Sequence, residues 1–227
     1  MGASAVYQLP YPEPGDPADV PTDLHELVDA IEAKIMPGTV GGQVPVWDNT
    51  AKKWAPAGGG MTLVAEAVLA APAASIDFTV IPAGYRSLRL AYLVRADGAA
   101  TVGITLMRFN GDATASYDYQ GVLSSNGAVS NSQGAAQAFM RVGTCCQNLS
   151  AAFEFAAADI DIPGYANTAT YKGYSAKSAG PNTAVASSFA SLYGGGWRNQ
   201  AAINRITLLP DSGNFVVGSR AYLLAVT

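Results

Sequence analysis

From Met61 to the C-terminus, apolar residues alternate with polar ones at every second position, which is the periodicity of a β-strand. The clearest examples are Ile76–Val80, Leu88–Val94 and Val102–Leu106, with turn signals such as Asp97-Gly98 between them. Further candidate strands are Phe139–Val142, Ala152–Phe155, Ala169–Tyr174, Val185–Leu192, Ile203–Leu209 and Phe215–Val226. About nine or ten short strands without an intervening helix predict a mainly β domain over residues 61–227, a jelly-roll-like antiparallel β-sandwich.

Three stretches of small or polar residues inside this domain are predicted to be surface loops. They are residues 121–136, residues 175–188 and the segment Tyr193–Trp197. The three glycines of the last segment lack the Lys and Ser/Thr of a phosphate-binding loop, so no nucleotide site is expected there.

The first sixty residues have a different pattern. Residues 1–21 contain five prolines, which predict an extended proline-rich arm. Residues 22–36 predict a short amphipathic helix, because apolar residues recur there at helical spacing. This stripe consists of Leu24, Leu27, Val28, Ile31 and Ile35. Residues 37–60 predict a small β-hairpin with its turn at Asp48–Ala51, followed by the glycine linker Gly58–Gly60 as the domain boundary.

Composition indicates association rather than a monomer. Only 13% of the residues are charged, about half the usual quarter, and the net charge is −5 over residues 1–60 and +1 over residues 61–227. A short helix is marginal in water alone, so its stripe needs either a self-associating bundle or a surface of a partner or of its own chain. Together these features predict a homotrimer.

Several partners and locations are disfavoured by the same composition. The absence of a basic stripe argues against nucleic acid, and the absence of an apolar run of about 20 residues argues against membrane insertion. No signal peptide is expected, because no basic segment followed by an apolar run stands near the start.

The sequence offers few residues for catalysis or metal binding. His25 is the single histidine and is interpreted as a solvated residue on the helix surface, which leaves the β-domain without a catalytic histidine. Cys145 and Cys146 are adjacent and are interpreted as two reduced, partly buried thiols. Zinc would need two further soft ligands, so we expect neither a metal nor an organic cofactor.

Carboxylates provide the remaining chemistry. The pairs Asp159/Asp161 and Asp112/Asp118 are spaced closely enough to consider glycoside hydrolysis, and Asn110 with Asp112 and Asp118 offers oxygen ligands for Ca²⁺. We interpret the first pair as strand residues that face solvent, and Asp112 as the cap of the Asn110-Gly111 turn. No catalytic residue is therefore predicted.

Aromatic residues are the candidates for recognition. Tyr119, Tyr171, Tyr174, Tyr193 and Trp197 lie in or beside the loop-rich segments, among Asn, Ser and Asp. Such surroundings suit contact with a sugar or protein receptor. Packing in the core or between subunits is the alternative that the sequence leaves open.

Motifs in the N-terminal region resemble a known group. Leu9–Pro12, followed by Asp19–Leu24 and a short helix, resembles the N-termini of minor tail and fibre proteins of tailed phages, especially phages of actinobacteria. The sequence QVPVWDNTAKKW at residues 43–54 looks like a small element repeated in such virion appendages.

The β-domain carries the same resemblance. Arg108–Asp112 followed by Tyr117–Tyr119 is similar to an "RFNGD…NYDY" stretch of the β-rich C-terminal domains of these proteins, with a mild departure at residues 113–116. The closing strands from Ile203, with Gly213–Phe215 and Gly218–Arg220, match the same domain. These motifs are turn and strand signatures without chemistry of their own.

The resemblance implies a structural protein of a bacteriophage virion, made in the cytoplasm of the bacterial host. It implies that residues 1–60 dock on other virion proteins and that a trimeric β-domain faces outward. Tail-associated attachment to a glycan or protein of the host surface is favoured, and capsid decoration by a head-fibre or cement protein is the alternative. A glycan depolymerase is a remote third reading.

Overall fold

The computed structural model describes residues 2–3, 10–11, 28–31, 43–48, 53–58, 60–183 and 187–226. The chain divides into two compact units, Met1–Thr62 and Leu63–Thr227. The boundary predicted at Gly58–Gly60 lies beside this division.

The first unit contains short elements. Strand β1 (Gly2–Ala3) pairs antiparallel with β2 (Pro10–Tyr11), and β3 (Gln43–Asp48) pairs antiparallel with β4 (Lys53–Gly58). The second pair confirms the predicted hairpin and places Trp47 opposite Trp54.

The predicted helix is described over residues 28–31 alone. Two members of the apolar stripe lie on this segment, and both are exposed: Val28 by 51% and Ile31 by 39%. Leu24, Leu27 and Ile35 lie outside the described residues, as do His25 and most of the proline-rich arm.

Twelve strands form the β-domain. They are β5 (Met61–Val68), β6 (Ile76–Phe78), β7 (Ser87–Val94), β8 (Val102–Phe109), β9 (Tyr117–Ser125), β10 (Ala128–Gln137), β11 (Met140–Cys146), β12 (Ala156–Pro163), β13 (Lys172–Asn182), β14 (Ser187–Trp197), β15 (Ile206–Pro210) and β16 (Arg220–Val226). In β7 and β8 every second residue is buried, because one face of each strand packs on the opposite sheet.

Eight of these strands have the order of a jelly roll. One sheet contains β5-β16-β7-β12 and the other β6-β15-β8-β11. Along these eight strands, each passes to the other sheet, except that β8 and β11 are neighbours within one sheet. This alternation is the double Greek key of the jelly roll, so the predicted fold class is confirmed.

Two inserted hairpins enlarge the first sheet to eight strands. In the sequence, the hairpin β9–β10 is inserted between β8 and β11, and the hairpin β13–β14 is inserted between β12 and β15. Beyond β12 the sheet continues as β13-β14-β9-β10, with every pairing antiparallel. The loops predicted at residues 121–136, 175–188 and 193–197 are therefore wrong, since these residues lie largely in long strands.

Most of β13 escaped prediction because its inward residues after Tyr174 are small or polar, whereas part of β14 was predicted at Val185–Leu192. β13 alternates strictly between buried and exposed positions, but its buried residues include Ala176, Ser178 and Gly180. The Ser178 hydroxyl accepts a hydrogen bond from the Thr144 N–H at 3.0 Å and bonds the Ser191 hydroxyl at 2.7 Å. These paired polar groups replace the large apolar residues that a period-two search detects.

The core of the β-domain lies between the two sheets. Leu90 and Val94 of β7, Met107 and Phe109 of β8, and Leu208 of β15 are completely buried in one apolar cluster. Within the described ranges, no helix is long and apolar enough to cross a membrane.

Candidate binding surfaces

Four of the five aromatic residues predicted to contact a receptor lie in the core. Tyr119, Tyr174, Tyr193 and Trp197 are at most 7% exposed, because the alternation of their strands points them inward. The prediction is wrong for these four residues. Tyr171, which directly precedes β13, is 63% exposed.

Trp197 and the loop after β8 form a hydrogen-bonded cluster that we call the Asp112 lock. The Asp112 carboxylate accepts hydrogen bonds from the Thr114 N–H at 2.8 Å, the Ser116 hydroxyl at 2.6 Å and the Trp197 indole N–H at 2.6 Å. The Tyr117 ring stacks on Trp197, and its hydroxyl accepts the Phe109 N–H at 3.0 Å. These contacts therefore fix the loop at residues 112–116 and keep the rings of Tyr117 and Trp197 buried.

The lock favours an ionised carboxylate. Burial opposes ionisation of Asp112, but the hydrogen bonds from Ser116, Thr114 and Trp197 outweigh this effect and hold its pKa well below the usual value. Asp112 was predicted to cap the Asn110-Gly111 turn. Its carboxylate instead caps the residues that follow, Thr114 and Ser116.

The oxygen ligands proposed for Ca²⁺ each have separate partners. The Asn110 side chain accepts the N–H groups of Asn204 and Arg205 at 2.9 and 3.1 Å, and donates to the Ala202 carbonyl. Asp118 forms an ion pair with Arg198 at 3.3 Å. Across the part of the chain that the structure describes, no group of three His, Cys, Asp or Glu side chains could hold a metal ion.

The pair Asp159/Asp161 lies on the outer face of the larger sheet, as predicted. Asp159 forms ion pairs with Arg89 and with Lys177, and hydrogen bonding by Arg89 is the main reason that its pKa is lowered. Asp161 follows two positions along the same strand and is exposed.

Cys145 and Cys146 are both buried and unbridged, as predicted for reduced thiols. Burial raises the pKa of Cys145 to about 12 and that of Cys146 to about 11. Thiols with such pKa values carry little thiolate at neutral pH and are poor nucleophiles.

The strand directions define two ends of the β-domain. The chain enters at Met61, and the Asp112 lock lies at this same entry end, because β8 terminates there. The opposite, far end carries the loops at residues 95–101, 147–155 and 211–219.

Many hydrogen bonds hold the loop at residues 147–155 at the far end. We call it the Arg95 loop, because the side chain of Arg95, which lies outside it, donates to several of its residues. The buried Arg95 guanidinium donates to the Ser150 hydroxyl at 2.9 Å and to the carbonyl oxygens of Ser150, Ala151 and Glu154 at 3.1, 2.6 and 3.3 Å. Backbone N–H groups of Gln147, Asn148 and Leu149 donate to residues 98–101 of the neighbouring loop, each at 2.9 Å.

Glu154 closes the other side of this loop. Its carboxylate accepts the N–H groups of Thr183 at 2.7 Å and Ala151 at 2.9 Å. Hydrogen bonding from Thr183, with a smaller effect from Ala151, lowers the pKa of Glu154. The strand predicted at Ala152–Phe155 is wrong, because β12 begins at Ala156 and the preceding residues belong to this loop.

This well-bonded loop displays large apolar side chains to solvent. Phe153 is 95% exposed and Leu149 is 66% exposed, and Val217 of the neighbouring loop at the far end is 54% exposed. Exposed apolar groups on an ordered scaffold are typical of protein interaction sites. Leu149 stands beside the turn-forming residues Asn148 and Ser150, but Phe153 lies in the stretch Ala152–Phe155 that was predicted as a strand, so the sequence contains no local signal of its exposure.

A second surface lies on the outer face of the inserted strands. A shallow concavity of about 430 Å³ opens there across β9, β10, β13 and β14. It is lined by Gln120, Gly121, Val122, Asn131, Ser175, Leu192, Tyr193 and Gly194. The depression exists because Gly194, which has no side chain, stands between Gln120 and Ser175 in the strand register.

Comparison of the chain with known protein families, with curated proteins and with solved structures found no match.

Proposed function

We propose that this chain is a structural protein of a bacteriophage virion and that its jelly roll attaches the particle to the host surface. The observation that carries the proposal is the Arg95 loop, which holds Phe153 in solvent at the end opposite to the entry of the chain. A binding loop on a rigid β-sandwich, far from the connection to an anchor, is the arrangement that an attachment protein needs.

The motifs that resemble those of virion proteins take part in the fold of the β-domain. The Arg108–Asp112 and Tyr117–Tyr119 motifs form the Asp112 lock at the entry end, so their role is to fix a loop of the fold. In this proposal, residues 1–60 anchor the protein to other virion proteins, and the far end faces the host.

The proposal includes a homotrimer. Val28 and Ile31, the described members of the apolar stripe, are exposed on one helical turn, and a bundle of three such helices would bury them. Light scattering of the purified chain at micromolar concentration tests this, with a trimer expected and a monomer contradicting it.

Labelling of intact particles tests the attachment role. A gold-labelled antibody against residues 61–227 is expected at the tail in electron micrographs, and particles that lack the protein should fail to adsorb to cells. Label spread regularly over the head, with adsorption retained, would overturn attachment and support capsid decoration instead.

A further inference from the structure

We propose that the concavity on the outer face of the inserted strands binds a neutral oligosaccharide. This inference adds a ligand class to the proposed attachment role, on which its biological meaning rests. It involves residues that differ from those of the Arg95 loop, and it can be tested on the purified chain.

Uncommitted amide groups surround the concavity. Gln120 and Asn131 belong to its lining, and Gln133 lies directly opposite Gln120 on β10. Within the described residues, no hydrogen bond engages the side chain of any of the three, whereas the Asn110 amide makes three hydrogen bonds. An amide both donates and accepts, which matches the hydroxyl groups of a sugar.

The rest of the lining is apolar or without charge. Val122 and Leu192 lie opposite each other on β9 and β14 and are 47% and 57% exposed. They offer an apolar surface to the C–H face of a sugar ring, beside the hydroxyl of Ser175. Because the lining has no Asp, Glu, Lys or Arg, nothing in it would compensate the desolvation of a charged ligand. The surface therefore fits a neutral sugar rather than an anionic one.

The sheet itself does not require a glycine at the bottom of the concavity. Apart from its chain neighbours, the atom nearest to a Cβ added at Gly194 would be the Tyr174 carbonyl oxygen, at 3.6 Å, and the φ of Gly194 is not in the left-handed region. By contrast, a Cβ at Gly195 would lie 2.1 Å from the Asp118 carbonyl oxygen. A glycine inside a strand lowers stability, and where packing does not demand it, close approach of a ligand is a reason for it.

Gly173 on β13 provides a matched control. It is exposed, a Cβ there would meet only the Gly195 carbonyl oxygen at 3.8 Å, and it is outside the lining of the concavity. Gly173→Val and Gly194→Val should both fold and each raise the melting temperature by about 2 °C. Only Gly194→Val places a side chain in the concavity.

Saturation-transfer NMR on the full chain tests the inference, with chitohexaose and mannohexaose as neutral probes and an oligogalacturonate as the anionic probe. We expect the wild type and Gly173→Val to bind a neutral probe and Gly194→Val to lose at least tenfold in affinity. The double variant Gln120→Ala/Asn131→Ala, which leaves the glycines unchanged, should lose a similar factor and serves if Gly194→Val fails to fold.

Three results would overturn the inference. They are no binding of either neutral probe up to about 10 mM, stronger binding of the anionic probe, or unchanged binding by Gly194→Val and the double variant. None of these results depends on where the protein lies on a particle, so the labelling experiment can fail independently.

Discussion

The Asp112 lock and the Arg95 loop lie at opposite ends of one β-sandwich, and each is organised by a single charged side chain. Asp112 accepts hydrogen bonds from backbone, hydroxyl and indole groups, while Arg95 donates to a hydroxyl and three carbonyl oxygens. The Asp112 lock buries Trp197, whereas the Arg95 loop leaves Phe153 in solvent.

The difference shows what each loop contributes. At the entry end, the Trp197 indole N–H donates a hydrogen bond to the Asp112 carboxylate, so the hydrogen bonds of this loop stabilise the fold itself. At the far end, Arg95 bonds backbone groups and leaves Phe153 exposed, so the hydrogen bonds stabilise the presentation of a side chain that the core does not use.

Removal of the lock should have the largest effect on stability. Asp112→Ala leaves the buried indole N–H of Trp197 without its acceptor and removes the cap of the loop, at a cost of about 3 kcal/mol or roughly 6 to 12 °C in melting temperature. Asp161→Ala, an exposed carboxylate on the outer sheet face, is the control and should change the free energy of unfolding by less than about 0.5 kcal/mol. Equal effects of the two variants would show that the lock does not stabilise the fold.

Arg95→Met should have a smaller global effect and a large local one. The variant keeps most of the side-chain volume but removes the donors to three carbonyl oxygens, with a loss of about 2 kcal/mol. Faster hydrogen exchange is expected at the amides of residues 148–154, with little change at the Asp112 lock. Uniformly faster exchange across the β-domain would mean that the Arg95 loop is not a separate local unit.

Acid should weaken both loops. The pKa values of Asp112 and Glu154 are lowered in the fold, from ordinary values of 3.8 and 4.5. Their contribution to stability is complete above these ordinary values and is lost as pH falls through the lowered ones. The melting temperature should therefore fall below about pH 4, and the fall should be shallower in Asp112→Ala. Parallel curves for the wild type and the variant would contradict the role of this carboxylate.

The alternation of large apolar residues was enough to predict the jelly roll. Leu88–Val94 and Val102–Leu106 carry the pattern that packing of one sheet on another requires, and both lie in strands. Most of β13 could not be found in this way, because a hydrogen-bonded serine, Ser178, and other small residues occupy its inward positions, whereas Val185–Leu192 predicted part of β14.

The candidate sites could be predicted far less well. Trp197 was selected because polar residues surround it in the sequence, yet its strand turns it toward Asp112 and the core. The exposure of Phe153 depends on Arg95, which stands 58 residues earlier and reaches the loop through the parallel bridge between Arg95 and Cys146. Hydrogen bonds between residues so far apart in the sequence leave no pattern in the residues around Phe153 from which its exposure could be predicted.

The most direct test of the account is the binding of the purified, fluorescently labelled protein to host cells. Phe153→Ser should leave the melting temperature within about 2 °C of the wild type, because the side chain is 95% exposed, but should weaken binding at least tenfold. Val80→Ser, which removes an 84% exposed apolar side chain from the entry end, should leave binding unchanged. Equal binding by both variants and the wild type would contradict attachment through the Arg95 loop.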